Sequence, residues 1–183
     1  MPLGLCGILL LFNSPSNAQQ LLQNFGPPLT IPLLLKGTYG EIRPNHFHSG
    51  IDLKTEGRIG LPVIAIADGY VVRIKADEYG FGRVIYMTHD NGYVSVYGHL
   101  HKFCDVLDSL VFEEQKSKQK CSVELFPDKN KYYFHKGDTI AFSGNSGGSG
   151  GPHLHFEVRD AKTEIPFNPL SFNFNIIDKT PPI

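Results

Sequence analysis

Apolar and polar positions alternate along much of the chain, which is the period of half-buried strands. The segment "LPVIAIADGYVVRIKA" (61–76) has Asp68-Gly69 between two β-rich runs, and "RVIYMTHDNGYVSVYGHL" (83–100) has Asn91-Gly92 between two more. Each pattern predicts a β-hairpin. In the second, Tyr93, Ser95, Tyr97 and His99 fall on one face and Val94 and Val96 on the other, so His99 is expected near a strand end at the sheet's rim. Strand patterns return at "TIAFSG" (139–144) and "HLHFEVRD" (153–160), where Leu154 and Phe156 alternate with His153 and His155. Between them, residues 105–136 are charged and helical in spacing, with Leu107, Leu110 and Val111 as a short apolar stripe. They read as an insertion containing a helix, its charges forming a solvated face. No tandem repeat is evident.

Composition narrows the class. At 183 residues and 41% apolar, the chain can bury one good core, and 19 Gly with 13 Pro favour a turn-rich β protein over a helical bundle. The 17 basic and 18 acidic residues nearly cancel, which argues against a nucleic-acid partner or a polybasic membrane surface. At the N-terminus, an apolar run from Leu3 to Phe12 precedes Ser16-Asn17-Ala18, the shape of a secretory signal peptide (1–18) cleaved after Ala18, although no Lys or Arg precedes the run. Cys6 lies inside that run and not after it, so secretion without a lipid anchor is expected. Cys104 and Cys121 remain, either as one disulfide or as two thiols. There is no CxxC pair, so a cysteine-type zinc site is excluded and any metal must use His and carboxylate ligands. The ending "NPLSFNFNIIDKTPPI" reads as a strand entering another domain, with 171–183 as its start or as a tail.

The chemistry concentrates in three His-x-His pairs: His46 and His48, His99 and His101, His153 and His155. On a strand each pair shares a face. Asp52 lies four residues after His48, an even offset that places both on one side of an extended segment. A catalytic zinc commonly takes two His and one carboxylate and leaves a position for water, and His48, Asp52 and one His of "HLH" supply that set. The remaining histidines then serve as general base and as donor to a developing oxyanion. Spacing leaves open whether His153 or His155 binds metal. The run "SGNSGGSGG" (143–151) lacks the Gly-Lys-Ser/Thr ending of a phosphate loop and leads into a strand, so it is read as a tight connection bringing backbone close to a ligand or to the histidines that follow.

The ordered set "HSGID", "YGHL" and "GPHLHFEVR" resembles the lysostaphin-type zinc endopeptidases that cut bacterial peptidoglycan. The resemblance covers residues 36–170, after a lead-in at 19–35 and interrupted by the 105–136 insertion. It implies a mostly β fold: an antiparallel, lysostaphin-like metallopeptidase core of the duplicated-hairpin type with a partly helical insertion. It implies a Zn2+ cofactor held by His48, Asp52 and His155, with His153 helping to deprotonate or position the attacking water and His99 stabilising the oxyanion. His46 and His101 are then bystanders or hydrogen-bonding supports. The implied substrate is peptidoglycan, at its stem-peptide cross-links, in the periplasm of a Gram-negative bacterium; the insertion departs from the family pattern, and the sequence leaves open whether it covers or extends the groove or stands apart as a solvated face. Two rival readings are a non-catalytic cell-wall binding or amidase-activating module on the same fold, and a cupin-like metal protein; the intact motif positions disfavour the first and the aromatic "YGHL" strand the second.

Overall fold

A computed structural model describes residues 24–44 and 46–177. The expected signal segment 1–18 lies outside them. The described chain is mostly antiparallel β with one α-helix. The larger sheet runs in the order β1 (Leu35–Gly37), β2 (Ile51–Lys54), β11 (His153–Asp160), β6 (Tyr93–Leu100), β5 (Arg83–His89), β4 (Gly69–Ala76) and β8 (Val123–Leu125). Two short strands join its flanks, β12 (Pro166–Phe167) on β11 and β9 (Tyr133–Phe134) on β4. A second sheet has the order β3 (Pro62–Ile64), β10 (Thr139–Phe142) and β7 (Lys102–Phe103).

Alternation decides which face of the large sheet is buried. Ile51, Leu53, Leu154, Phe156, Val158 and Tyr97 share the main core with Val63, Ile140, Ala141 and Phe103 of the smaller sheet. Each fully buried aliphatic or aromatic side chain contributes about 1.5–3 kcal/mol relative to exposure. The second face carries a smaller cluster of Val84, Tyr86, Val94 and Val96, so every residue of β6 is buried.

The hairpin expected at 83–100 forms: β5 pairs with β6, and Gly92 in the turn has φ 85°. The hairpin expected at 61–76 does not. β3 pairs with β10 in the small sheet, while β4 pairs with β5 in the large one, and the chain crosses between sheets at Asp68-Gly69. Val63 to Ile66 are apolar at four successive positions and all buried, as befits a segment enclosed on both sides. Gly69 sits so close to the neighbouring strand that a Cβ would lie 2.3 Å from the Thr88 carbonyl oxygen, so the glycine serves close strand contact and not a two-residue turn.

The helix expected after residue 105 is present as α1 (Asp105–Lys118). Asp105 and Asp108 stand in its first turn and Lys116 and Lys118 in its last, charges that complement the helix dipole. Leu107 and Val111 enter the main core, and Leu110 packs against it. The insertion is therefore anchored at both ends of its length: α1 is held by its apolar stripe, and β8 and β9 add to β4. Cys104 and Cys121 are free thiols. Phe25 and Leu29 before residue 36, and Phe172 and Phe174 after residue 170, pack into the same core, where Phe25 stacks on Phe174 at 5.6 Å.

Candidate metal and catalytic site

Three adjacent strands bring the site together. In the β2–β11 ladder His155 stands opposite Asp52, and in the β11–β6 ladder it stands opposite Gly98. Cross-strand partners share a face, so Asp52, His153, His155 and Glu157 all project away from the core into which Leu154 and Phe156 point. His48 precedes β2 in a loop whose backbone pairs with the Thr38–Ile42 stretch through Gly40 N–H to His48 O and His48 N–H to Glu41 O.

The ligand-type atoms form a nearly equilateral triangle. His48 Nε2 is 3.0 Å from His155 Nδ1 and 3.2 Å from Asp52 Oδ1, and His155 Nδ1 is 3.1 Å from that oxygen. Tetrahedral zinc with bonds of about 2.0–2.1 Å separates its ligand atoms by roughly 3.3 Å, so the triangle has the right size for three ligands of one small cation. The opposite ring nitrogens are already committed. His48 Nδ1–H donates to the Thr38 carbonyl at 2.7 Å, and His155 Nε2–H donates to Glu157 Oε1 at 2.8 Å. Such partners fix the tautomer and leave the other nitrogen's lone pair aimed at the metal position. Among the described residues, His48, Asp52 and His155 are the set of His, Cys, Asp or Glu side chains arranged to hold a metal ion.

Electrostatics favour a cation at the centre. Burial pushes the Asp52 carboxyl up, but the His153, His155 and His48 rings crowded against it outweigh this and hold the group well below the usual carboxylate range. Burial alone would lower His155, yet hydrogen bonds and the charges of Asp52 and Glu157 outweigh it and raise the group above its ordinary value. Glu157 is fully buried; burial raises its carboxyl, and His155 and Arg159 outweigh this and bring it to about 2.

His153 and His99 flank the triangle. His153 Nδ1–H donates to the Gly151 carbonyl at 2.8 Å, with Ser149 Oγ at 3.1 Å, and its Nε2 lies 3.4 Å from Asp52 Oδ1. His99 Nδ1–H donates to the Ser146 carbonyl at 2.9 Å, and its ring lies 4.7 Å from that of His153. The glycine-rich connection thus supplies the carbonyls that orient both rings. Burial pushes His99 down to about 4, so at neutral pH its remaining ring nitrogen is a proton acceptor.

Simple alternation misplaces His99. It puts His99 on the face of Tyr97, which faces the core and pairs with Phe156. Between the pairs Arg83–Leu100 and Ile85–Tyr97, β6 carries one residue more than β5, and His99 adopts φ 58° at this bulge. The bulge turns the imidazole to the opposite face, and the His99 N–H donates to Phe81 O at 2.8 Å instead of entering the regular ladder. A left-handed non-glycine residue costs about 1–3 kcal/mol, a cost typical of functional positions. His46 is exposed on the groove wall; His101 is exposed, with its backbone N–H bonded to Phe142 O.

A groove of about 670 Å³ lies over these side chains, walled by Lys36, Arg43, Pro44 and Phe81 and floored by the histidines. Among the described residues, the 105–136 insertion contributes nothing to its lining, so of the two placements the sequence left open it takes the one away from the groove. Its helix faces the core beside the small sheet instead. Several contributors have weak or no sequence signals. Glu157 continues the period of two from His153 and His155, and could have been read from the pattern. Arg43 reaches Asp52 Oδ2 at 2.9 Å across a loop, a contact no spacing reveals. It needs Gly37 beneath it, where a Cβ would lie 2.6 Å from Asp52 Oδ2 and 2.7 Å from Arg43 Nη2.

The sequence pattern of peptidase family M23 matches residues 46–115, a span that includes His48, Asp52 and His99. An uncharacterized metalloprotease of Haemophilus influenzae is 39% identical over 118 residues, 64% of this chain and 19% of that protein. Peptidoglycan DD-endopeptidase ShyA of Vibrio cholerae is 34% identical over 111 residues, 61% of this chain and 20% of that protein. The chain thus spans about a fifth of the length of these curated relatives. Among solved structures, the catalytic domain of the antimicrobial peptidase lysostaphin from Staphylococcus simulans superposes with a TM-score of 0.52 at 26% identity, covering 73% of this chain and 84% of that one. The catalytic domain of the M23 protein EnpA from Enterococcus faecalis shares the fold, with a TM-score of 0.56 at 24% identity over 79% of this chain and 95% of that one.

Proposed function

Because the chain belongs to peptidase family M23, we propose that it is a zinc-dependent endopeptidase of the cell envelope that hydrolyses peptide cross-links of peptidoglycan. The observation that carries this reading is the triangle of His48 Nε2, Asp52 Oδ1 and His155 Nδ1, each imidazole already oriented from behind and the whole set opening on the groove. Zinc, when bound there, supplies Lewis acidity that acidifies a water molecule and polarises a peptide carbonyl.

The remaining steps fall to the chain's own side chains. His153, its Nδ1–H tied to Gly151, presents Nε2 as the acceptor for a proton leaving the attacking water. His99 presents Nε2 in the same way, and because its Nδ1–H is committed to Ser146, it donates to an oxyanion or leaving amine only after taking a proton on Nε2. Arg43 holds Asp52 Oδ2, which keeps Oδ1 turned to the two imidazoles. Phe81, stacked on the His155 ring at 4.6 Å, walls one side of the groove and restricts water. The complete set of five side chains favours an enzyme over a binding module on the same fold.

Envelope targeting belongs to the same proposal: the apolar run ahead of Ala18 directs export, and in a Gram-negative cell the product acts in the periplasm. Sequencing the N-terminus of the mature protein checks it, and a cytosolic product beginning at Met1 would remove the wall as substrate. The decisive experiment is digestion of purified peptidoglycan by the zinc-loaded protein, followed by mass analysis of released fragments. Free stem peptides in place of cross-linked dimers are the expected product; intact wall with zinc bound would end the proposal.

A further inference from the structure

Among the described residues, Lys36 is the one lysine in the groove wall. Its position is made by a second bulge: Leu35 pairs with Leu53 and Gly37 with Asp52, so two steps along β1 oppose one along β2, and Lys36 is the extra residue. Leu35 and Gly37 are both buried, while Lys36 is turned outward and across the sheet edge toward β11. Its ammonium reaches 3.4 Å from the Gly151 carbonyl oxygen, at the long limit of hydrogen bonding, and lies 3.4 Å from His153 Nδ1, whose proton is already given to Gly151; neither neighbour is an anion.

The charge around Lys36 is unbalanced. Arg43, the other cation of the wall, spends itself on Asp52 and Glu41, at 2.9 Å each. Asp52, the single carboxylate of the lining among the described residues, is enclosed by His48, His153, His155 and Arg43. Lys36 forms no ion pair among the described residues. A lysine with three donors, held by a bulge beside the proposed proton acceptor and given no carboxylate of its own, is arranged to meet one brought by a ligand.

The geometry points to Lys36 as a specificity residue that binds a free carboxylate of the substrate peptide close to the scissile amide. This rests on the peptidase reading above and narrows its substrate class: peptides in which the residue beside the cleaved bond keeps an unblocked carboxylate, as against those carrying a carboxamide there. Lys36 touches His153 on the side away from Asp52, so a carboxylate bound to it lies beside the reacting groups and helps set the register of the peptide in the groove. A charge-assisted hydrogen bond of this type is worth about 1.5–3 kcal/mol, or roughly 10- to 100-fold in selectivity.

Two cross-linked peptides identical except for carboxylate or carboxamide beside the scissile bond test this, with zinc-loaded wild type, Lys36→Met and Lys36→Arg. Cleavage (kcat/KM) and equilibrium binding are measured for both peptides. The wild type is expected to prefer the carboxylate peptide, Lys36→Met to lose about 10- to 100-fold of that preference, chiefly in KM, and Lys36→Arg to recover most of it. Equal losses on both peptides would mean that Lys36 only positions His153, and an absent preference in the wild type would equally overturn the inference. If the wild type cuts neither peptide but binds the carboxylate form more tightly through Lys36, the carboxylate site stands and the peptidase reading falls. If it neither cuts nor discriminates in binding, both fall.

Discussion

The tripeptide His-Leu-His occurs twice, at 99–101 and at 153–155, and the two copies meet opposite fates. In β11 the copy lies in a regular ladder with neighbours on both sides, so His153 and His155 both face the groove and Leu154 enters the core. At the end of β6 the second copy runs through a bulge: His99 turns into the groove at φ 58°, Leu100 enters the core, and His101 is left exposed. Both leucines are buried. The same three residues yield two site histidines in one place and one in the other, because side-chain direction follows backbone hydrogen bonding and not residue type.

Variants of the two copies separate their roles. The largest effect is expected from His155→Ala, which removes one of three proposed metal bonds: zinc and peptidoglycan cleavage should vanish together, since losing a mere supporting partner already costs about 10- to 100-fold in metal affinity. Retained zinc would place the site elsewhere. Next come His153→Ala and His99→Ala, one from each copy. Each should keep its zinc by metal analysis while turnover falls about 100- to 10,000-fold. Loss of zinc from either would assign that ring as a ligand and break the division between the copies.

A smaller effect is expected at Glu157, which stands on the regular copy's strand and has no counterpart after His101. Glu157→Gln weakens the partner of His155 Nε2, and competitive chelator titration should show zinc affinity lower by about tenfold. Unchanged affinity would mean that the orientation of His155 is set by its stacking on Phe81. The smallest effect belongs to His101→Ala, an exposed substitution expected to move stability by less than about 0.5 kcal/mol and leave cleavage within about twofold. A large loss there would show that both histidines of the second copy serve the site.

Much of this was readable from residue order. The period of two in "HLHFEVRD" assigns Leu154 and Phe156 to the core and His153 and His155 to the other face; the Asn91-Gly92 hairpin and the Leu107–Val111 stripe were equally legible. The Asp68-Gly69 hairpin was misread because a glycine needed for close strand contact looks the same in sequence as one needed for a turn. The insertion was legible as a helix but not in its place, since its distance from the groove depends on which core it packs against.

What the sequence determines by itself is the chemistry on offer and the regular strand faces: local periodicity and turn preference are properties of neighbouring residues. Tertiary structure alone decides what depends on partners far along the chain. His155 is a candidate ligand because Glu157 takes its other nitrogen, and His48 because the Thr38 carbonyl does the same. Arg43 meets Asp52 across a loop, one bulge turns His99 toward the groove against the alternation its neighbours obey, and a second bulge sets where Lys36 stands along the edge. A bulge exists only relative to the strand it pairs with, so its effect on side-chain direction appears once the sheet is assembled.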